Sequence, residues 1–323
     1  MLAAYAASID FQNPLSGLVV GDVPDPQVPD GWTTVQMKAA SLNHHDLWSL
    51  RGIGLPESRL PMILGCDAAG LDEDGNEVIV YSVVSDPGPG VDETMDESRS
   101  ILSERFPGTF SQRFAIPARN LLPKPPHWSW SEAACLPTAW LTAYRMLAVR
   151  SGLKPGNTVL IQGAGGGVAT ACIALGRAMG FRVWATSRSE SKQQRALEIG
   201  AHEVFQSGAR LPDRVDAVME TVGEATWEHS VKCLKPGGTI VISGATSGPN
   251  PPAQLTRIFF KQLSVVGSTM GTLEDLRNLI SLCSVANIRP IVQQEFALTD
   301  AHSAFSLLES GELFGKIILT NND

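Results

Sequence analysis

The stretch "VLIQGAGGGVATACIALGRAMG", Val159–Gly180, decides the fold. Apolar strand-forming residues run up to Gln162, four glycines follow within the five positions Gly163–Gly167, and a helical pattern begins at once. Glycines let the backbone turn tightly and approach a pyrophosphate, while the amides and dipole at a helix N-terminus stabilise negative charge. Two frames fit a dinucleotide fingerprint: Ala164–Ala169 as A-x-G-x-x-A, and one starting at Gly163 that has G-x-G but no third small residue. The first frame is preferred, because alanine is tolerated where helix packs on strand. The residues expected at the nucleotide are therefore Ala164, Gly165, Gly166, Gly167 and Val168.

Working outward, short β-branched runs alternate with helical patterns from about residue 155 to 267, the mark of a parallel sheet wrapped by helices. The candidate strands are "TVLIQG", "RVWATS", "EVF", "DAVMET", "TIVISG" and "LSVVGS". Six strands predict an α/β, doubly wound parallel sheet. The second ends in "ATSRSESKQQR", where an NAD site usually places Asp or Glu for the ribose hydroxyls. Ser187, Arg188 and Lys192 stand there instead and suit a 2′-phosphate, hence NADP(H). A competing interpretation makes Ser187 to Glu190 an S-x-x-E capping box beside a solvated helix face.

Before residue 130 the pattern is strand-like and rich in Pro and Gly, a β-rich domain; Ser85–Gly108 is acidic and Pro/Gly-rich and predicts an exposed lobe. The 56 residues from 268 to 323 are too few for a third domain and are expected to return to the first. With a net charge of −8 and no basic run, a nucleic-acid partner is not expected. Five scattered cysteines without a C-x-x-C pair indicate reduced thiols, and neither a basic leader nor an 18-residue apolar run occurs, so a cytoplasmic protein off the membrane is expected.

Two polar stretches remain: "SLNHHDLWSLRG", Ser41–Gly52, and "LGCDAAG", Leu64–Gly70. With "GTFSQRFAIP", "LPTAWLTAYRML", "LKPGNTVLIQGAGGGVA", "LKPGGTIVISG" and "SGELFGKIILT", they make the chain resemble, over nearly its whole length, the medium-chain dehydrogenase/reductase superfamily and its zinc-less quinone-oxidoreductase-like branch, often labelled zinc-binding dehydrogenase. The resemblance implies a GroES-like catalytic domain from 1–130 and 268–323, a Rossmann NADP-binding domain over 131–267, a substrate cleft at their junction and a homodimer paired along the sixth strand. It places Asn43, Cys66 and Thr138 where zinc-dependent relatives hold metal, and two of these three are not usual zinc ligands, so no metal is expected. A contrary set, Cys66 with His44 or His45 and an oxygen of Asp67, remains open. By resemblance His44 contacts the cofactor, His45 carries a relay proton and Asp46 orients the site. Trp48, Cys66 and Thr138 would line the substrate pocket, and the loops carrying Gly244, Ala245, Thr246, Gly267, Ser268 and Thr269 would border the nicotinamide.

Without a metal to polarise an alcohol, substrates must carry their own electron sink, as quinones and α,β-unsaturated carbonyls do. The expectation is an NADPH-dependent reductase of such small molecules, with Asn43 and His45 donating to the developing oxyanion and His45 or water supplying the proton. A zinc-dependent alcohol dehydrogenase and a non-catalytic NADPH-binding protein are the rival functions.

Overall fold

The computed structural model describes residues 1–86, 88 and 90–321. The chain divides into two compact units, one of residues 1–138, 272–280 and 289–323, the other of 139–271 and 281–288.

In the second unit the six strands Thr158–Ile161, Arg182–Ser187, Glu203–Gln206, Val215–Glu220, Leu234–Ile242 and Ser264–Gly267 form one sheet, every pairing parallel. Numbered along the chain, their spatial order is 3-2-1-4-5-6, the doubly wound dinucleotide-fold order. All six therefore end on one edge, and the turns after the first, second, fifth and sixth lie there together. Leu160, Trp184, Val218, Trp227, Val231 and Ile240 are among the residues of its core. The helix Glu190–Glu198 starts differently from a capping box on Ser187. Ser189 is the cap, accepting from the Lys192 N–H, while Ser187 accepts from the Ser189 N–H at 3.2 Å.

The first unit is built round the ten-residue strand Trp32–Ser41, whose alternating burial puts Val35, Met37 and Ala39 inside. Its sheet runs in the order Leu121–Pro123, Glu77–Val80, Ala69–Asp72, Trp32–Ser41, Lys316–Thr320, Val292–Ala297, and Arg113–Pro117 also pairs with the central strand. Two registers bring polar residues to the end of that strand. Ile318 lies opposite Ser41, so continuing the antiparallel pairing by two residues sets Lys316 against Asn43. On the other side Ala39 lies opposite Ala69, and the same continuation sets Asp67 against Ser41.

Two local expectations are corrected. The stretch "HHDLWSL" is a helix, His44–Leu50, although the sequence showed no long helical period before residue 130. Seven residues are too few to display one. The proposed exposed lobe is not exposed throughout: Ser100, Leu102 and Ser103 are buried, and Ser100–Ile101 pairs with Val83–Val84. Pro87 and Pro89 of that segment lie outside the described residues.

Candidate functional site

At the end of the central strand of the first unit, polar side chains are buried together. Asp67 is fully buried, and its Oδ2 accepts hydrogen bonds from Ser41 Oγ at 2.7 Å and Asn43 Nδ2 at 2.9 Å. The Lys316 ammonium, only 3% exposed, donates to Asn43 Oδ1 and to the Leu42 carbonyl, each at 2.6 Å, and stands 3.5 Å from Asp67 Oδ2. Asp67 Oδ1 has no partner among the described residues. The Asn43 amide is thereby committed on both sides, its second N–H reaching the Ser41 carbonyl at 3.4 Å. It has no donor left over for a substrate in this arrangement.

Asp46, also fully buried, accepts from the Asn43 N–H at 2.7 Å and the Gly65 N–H at 3.2 Å, tying the start of the helix His44–Leu50 to the loop before Cys66. Only glycine fits at 65, where φ is +96° and a Cβ would lie 2.4 Å from the Phe110 ring. Burial pushes the Asp46 carboxyl up to about 7, with the Asp67 charge adding to it, against the opposing pull of the two amides and Lys316. The folded state therefore holds a proton that the unfolded chain, with a carboxyl near 4, releases. Stability contributed by neutral Asp46 is complete below about pH 4 and is lost as pH rises through about 7. Asp46→Asn is expected to flatten this part of the pH–stability curve between 4 and 7, as read by urea unfolding across that range; an unchanged slope would show that Asp46 is ionised in the folded protein.

His45 is half-buried, its Nε2 lying 3.3 Å from Ser103 Oγ. Burial holds its pKa down to about 4, so the ring is neutral at pH 7. Of the two proton sources expected, His45 or water, this removes the first as a store of a proton at pH 7. His44 is exposed, with desolvation and then the positive charges of Lys316 and Arg51 lowering its pKa. Trp48 is half-buried on the same helix, and Thr138 is partly buried with its hydroxyl unpartnered among the described residues. Cys66 is fully buried; its thiol donates to the Leu102 carbonyl at 3.4 Å and lies 3.7 Å from Ser103 Oγ. Burial, then the charges of Asp46 and Asp67, push that thiol well above its ordinary value.

These residues do not fit zinc. A zinc site takes thiolates, neutral imidazoles and carboxylates in a closed set. Here one position is an amide held by an ammonium, the second a neutral hydrogen-bonded thiol and the third a hydroxyl. Among the described residues no three His, Cys, Asp or Glu side chains are grouped to hold a metal. Sequence reasoning missed Lys316 and Ser103. "GKIILT" carried the first as a motif without a role, and only the strand register brings it to Asn43.

In the second unit the glycine turn is pinned to the neighbouring strand: Ala164 N–H donates to the Thr186 carbonyl at 2.7 Å, and Thr186 Oγ1 donates to Gln162 Oε1 at 2.6 Å. The positions that demand glycine are Gly163, at φ +70° with a Cβ 2.7 Å from Val222, and Gly165, at φ +139°. These two begin the frame starting at Gly163, while the second and third positions of the alanine frame, Gly166 and Ala169, fall at the helix cap and on its buried face. Gly166 caps the helix Gly167–Ala178, of which Val168 is the second residue. Ser187 is buried at the end of the second strand, Arg188 is exposed beside it, and Lys192 lies in the first turn of the next helix. Beyond the fifth strand come Gly244, Ala245 and Thr246, the last donating to the Thr221 carbonyl at 3.3 Å through its N–H. Gly267 ends the sixth strand, followed by Ser268, whose N–H donates to the Ile242 carbonyl at 2.8 Å, and by exposed Thr269.

Comparison with known proteins agrees with both units. Residues 29–126 match the alcohol dehydrogenase GroES-like domain and residues 167–285 the zinc-binding dehydrogenase domain. Acryloyl-coenzyme A reductase of Metallosphaera sedula is 28% identical over 94% of this chain and 96% of its own. Crotonyl-CoA carboxylase/reductase of Cereibacter sphaeroides is 26% identical over 87% of this chain and 78% of its own. The crystal structure of an NAD-dependent alcohol dehydrogenase superposes with a TM-score of 0.92 at 31% identity, covering 100% of both chains. A GroES-like unit and a Rossmann unit assembled from these segments make the chain a member of the zinc-binding dehydrogenase family within the medium-chain dehydrogenase/reductase superfamily.

Proposed function

We propose that the protein is an NADPH-dependent reductase of α,β-unsaturated carbonyl compounds, thioesters among them, that works without a metal; quinones are a second substrate class of the same chemistry. The observation that carries this reading is the ammonium of Lys316 bound to Asn43, which puts a buried cation where metal-dependent relatives need ligands. The enoyl-thioester names of the two relatives point the same way.

The turn Gly163–Gly167 and the helix behind it would hold the pyrophosphate, and Arg188, Lys192 and Ser187 the 2′-phosphate. When bound, the reduced nicotinamide supplies a hydride. Reduction of a conjugated carbonyl gathers charge on its oxygen, which a preorganised N–H donor stabilises without metal. His45 serves as that donor in its neutral form, since the Asn43 amide is already engaged. Asp46 keeps the helix start against the Gly65 loop, so its role is to hold His45 in place. Water delivers the proton to carbon.

The test is NADPH oxidation with acryloyl-CoA, crotonyl-CoA, 2-alkenals and quinones, with zinc assayed on the same protein. Turnover of conjugated carbonyls by metal-free protein is expected. Turnover of simple alcohols alone, dependent on bound zinc, would overturn the reading.

A homodimer is part of the same proposal. The edge strand Ser264–Gly267 and the helix Leu255–Lys261 expose Leu255, Phe259, Phe260 and Val265, Phe260 to 76%. Such an apolar patch beside a sheet edge that no strand pairs among the described residues suits a second copy. Sedimentation should return twice the chain mass, and Phe260→Glu should shift it toward one.

A further inference from the structure

Three side chains that the sequence keeps far apart meet in the first unit: His45, Cys66 and Ser103. Ser103 is fully buried and has φ +70°, a left-handed conformation that costs a residue with a Cβ and suits glycine. Its backbone N–H donates to the Phe106 carbonyl at 2.9 Å, and the preceding Leu102 N–H to the Ser82 carbonyl at 3.1 Å, so the turn is held on both sides. A serine in this conformation and at this depth needs a compensating role, and its hydroxyl has one. Oγ lies 3.3 Å from His45 Nε2 and 3.7 Å from Cys66 Sγ.

The direction of these bonds follows from the donors available. The hydroxyl has a single proton. The Cys66 thiol spends its own on the Leu102 carbonyl at 3.4 Å and offers only a weak sulfur acceptor in return. An imidazole nitrogen is the better acceptor, so the Ser103 proton goes to Nε2. A neutral ring that accepts at Nε2 must carry its proton on Nδ1, and Nδ1 has no partner among the described residues.

We propose that Ser103 is a positioning residue that locks His45 in the Nδ1–H tautomer and so aims its one N–H donor at the substrate oxygen. Cys66 only packs against the Ser103 hydroxyl, its Sγ 3.7 Å from Oγ with both protons already committed elsewhere. The assignment of the N–H to a substrate rests on the proposed reductase activity; the tautomer itself does not.

The test uses full-length protein with ¹⁵N-labelled histidine, with and without NADPH. His45 is identified among the six histidines by the signal lost in His45→Gln. Wild type should show Nδ1 protonated and Nε2 bare. Ser103→Gly and Ser103→Ala should move His45 toward the Nε2–H form and lower kcat on a conjugated carbonyl by about ten- to a hundredfold, with KM for NADPH unchanged. Ser103→Gly should melt no lower than wild type, because glycine relieves the left-handed backbone; a merely structural role predicts neither that stability nor a tautomer change. The proposal is overturned if wild-type His45 carries its proton on Nε2, or if the ring's tautomer is the same in wild type and Ser103→Ala. If wild type turns over no conjugated carbonyl, the reductase reading fails, and the spectra still decide the tautomer.

Discussion

Lys316→Met is expected to lower the unfolding free energy by about 3–5 kcal/mol, the cost of breaking a buried ion pair from one side. The ammonium it removes is almost wholly buried and satisfies Leu42 O, Asn43 Oδ1 and the charge of Asp67 together. Left behind, Asp67 would be a fully buried carboxylate whose Oδ1 already lacks a partner among the described residues. Asp67→Asn alone should also destabilise, since it strands the ammonium. The double variant should recover a large part of the loss, because two neutral groups of similar size remove both desolvation costs. Urea midpoints of the four proteins measure this cycle. A loss below about 1 kcal/mol for Lys316→Met would mean that water reaches the pair and that it behaves as a surface bridge.

The second large effect concerns the nucleotide. Arg188→Ala should reduce kcat/KM for NADPH by about ten- to a hundredfold and leave NADH nearly unaffected, as expected for one charged hydrogen bond worth about 1.5–3 kcal/mol. Lys192→Ala should act in the same direction and more weakly, lying further along the helix. Initial rates with both nucleotides decide it. Equal losses with NADPH and NADH would show that Arg188 does not read the 2′-phosphate, and the relative described as NAD-dependent would then be the better guide.

The sheet of the second unit was legible because its rules are local. Each strand is a short apolar run closed by Gly, Pro or a polar turn, and "RVWATS" is observed over the same residues, Arg182–Ser187. The details of the glycine turn were not, since only the backbone shows that the left-handed glycines are Gly163 and Gly165 while Gly166 caps the helix and Ala169 is buried in it. The helix cap was displaced by two residues for a similar reason: Ser187 and Ser189 are equally good caps on paper, and the strand claims Ser187. In the first unit Asn43, His45, Asp46, Cys66 and Asp67 could be singled out from two short stretches, but not their partners. Lys316 is 273 residues from Asn43, and Ser103 is 58 from His45. Such contacts depend on register and burial, and burial also sets the charge states, holding the His45 ring neutral down to about 4 and raising the Asp46 carboxyl to about 7.

The strand Lys316–Thr320 closes onto Trp32–Ser41, which imposes an order on biosynthesis. Emerging from a ribosome, the Rossmann segments 139–271 and 281–288 are translated and free to collapse while the central strand of the amino-terminal segment, already able to pair with Ala69–Asp72 and Arg113–Pro117, still lacks its neighbour along Ala39–Ser41. Asp67 must wait, without its counter-charge, for about 250 further residues to be translated. Until then the nascent amino-terminal part presents an open sheet edge, so holding chaperones should engage it during that interval and release it once the last strand docks.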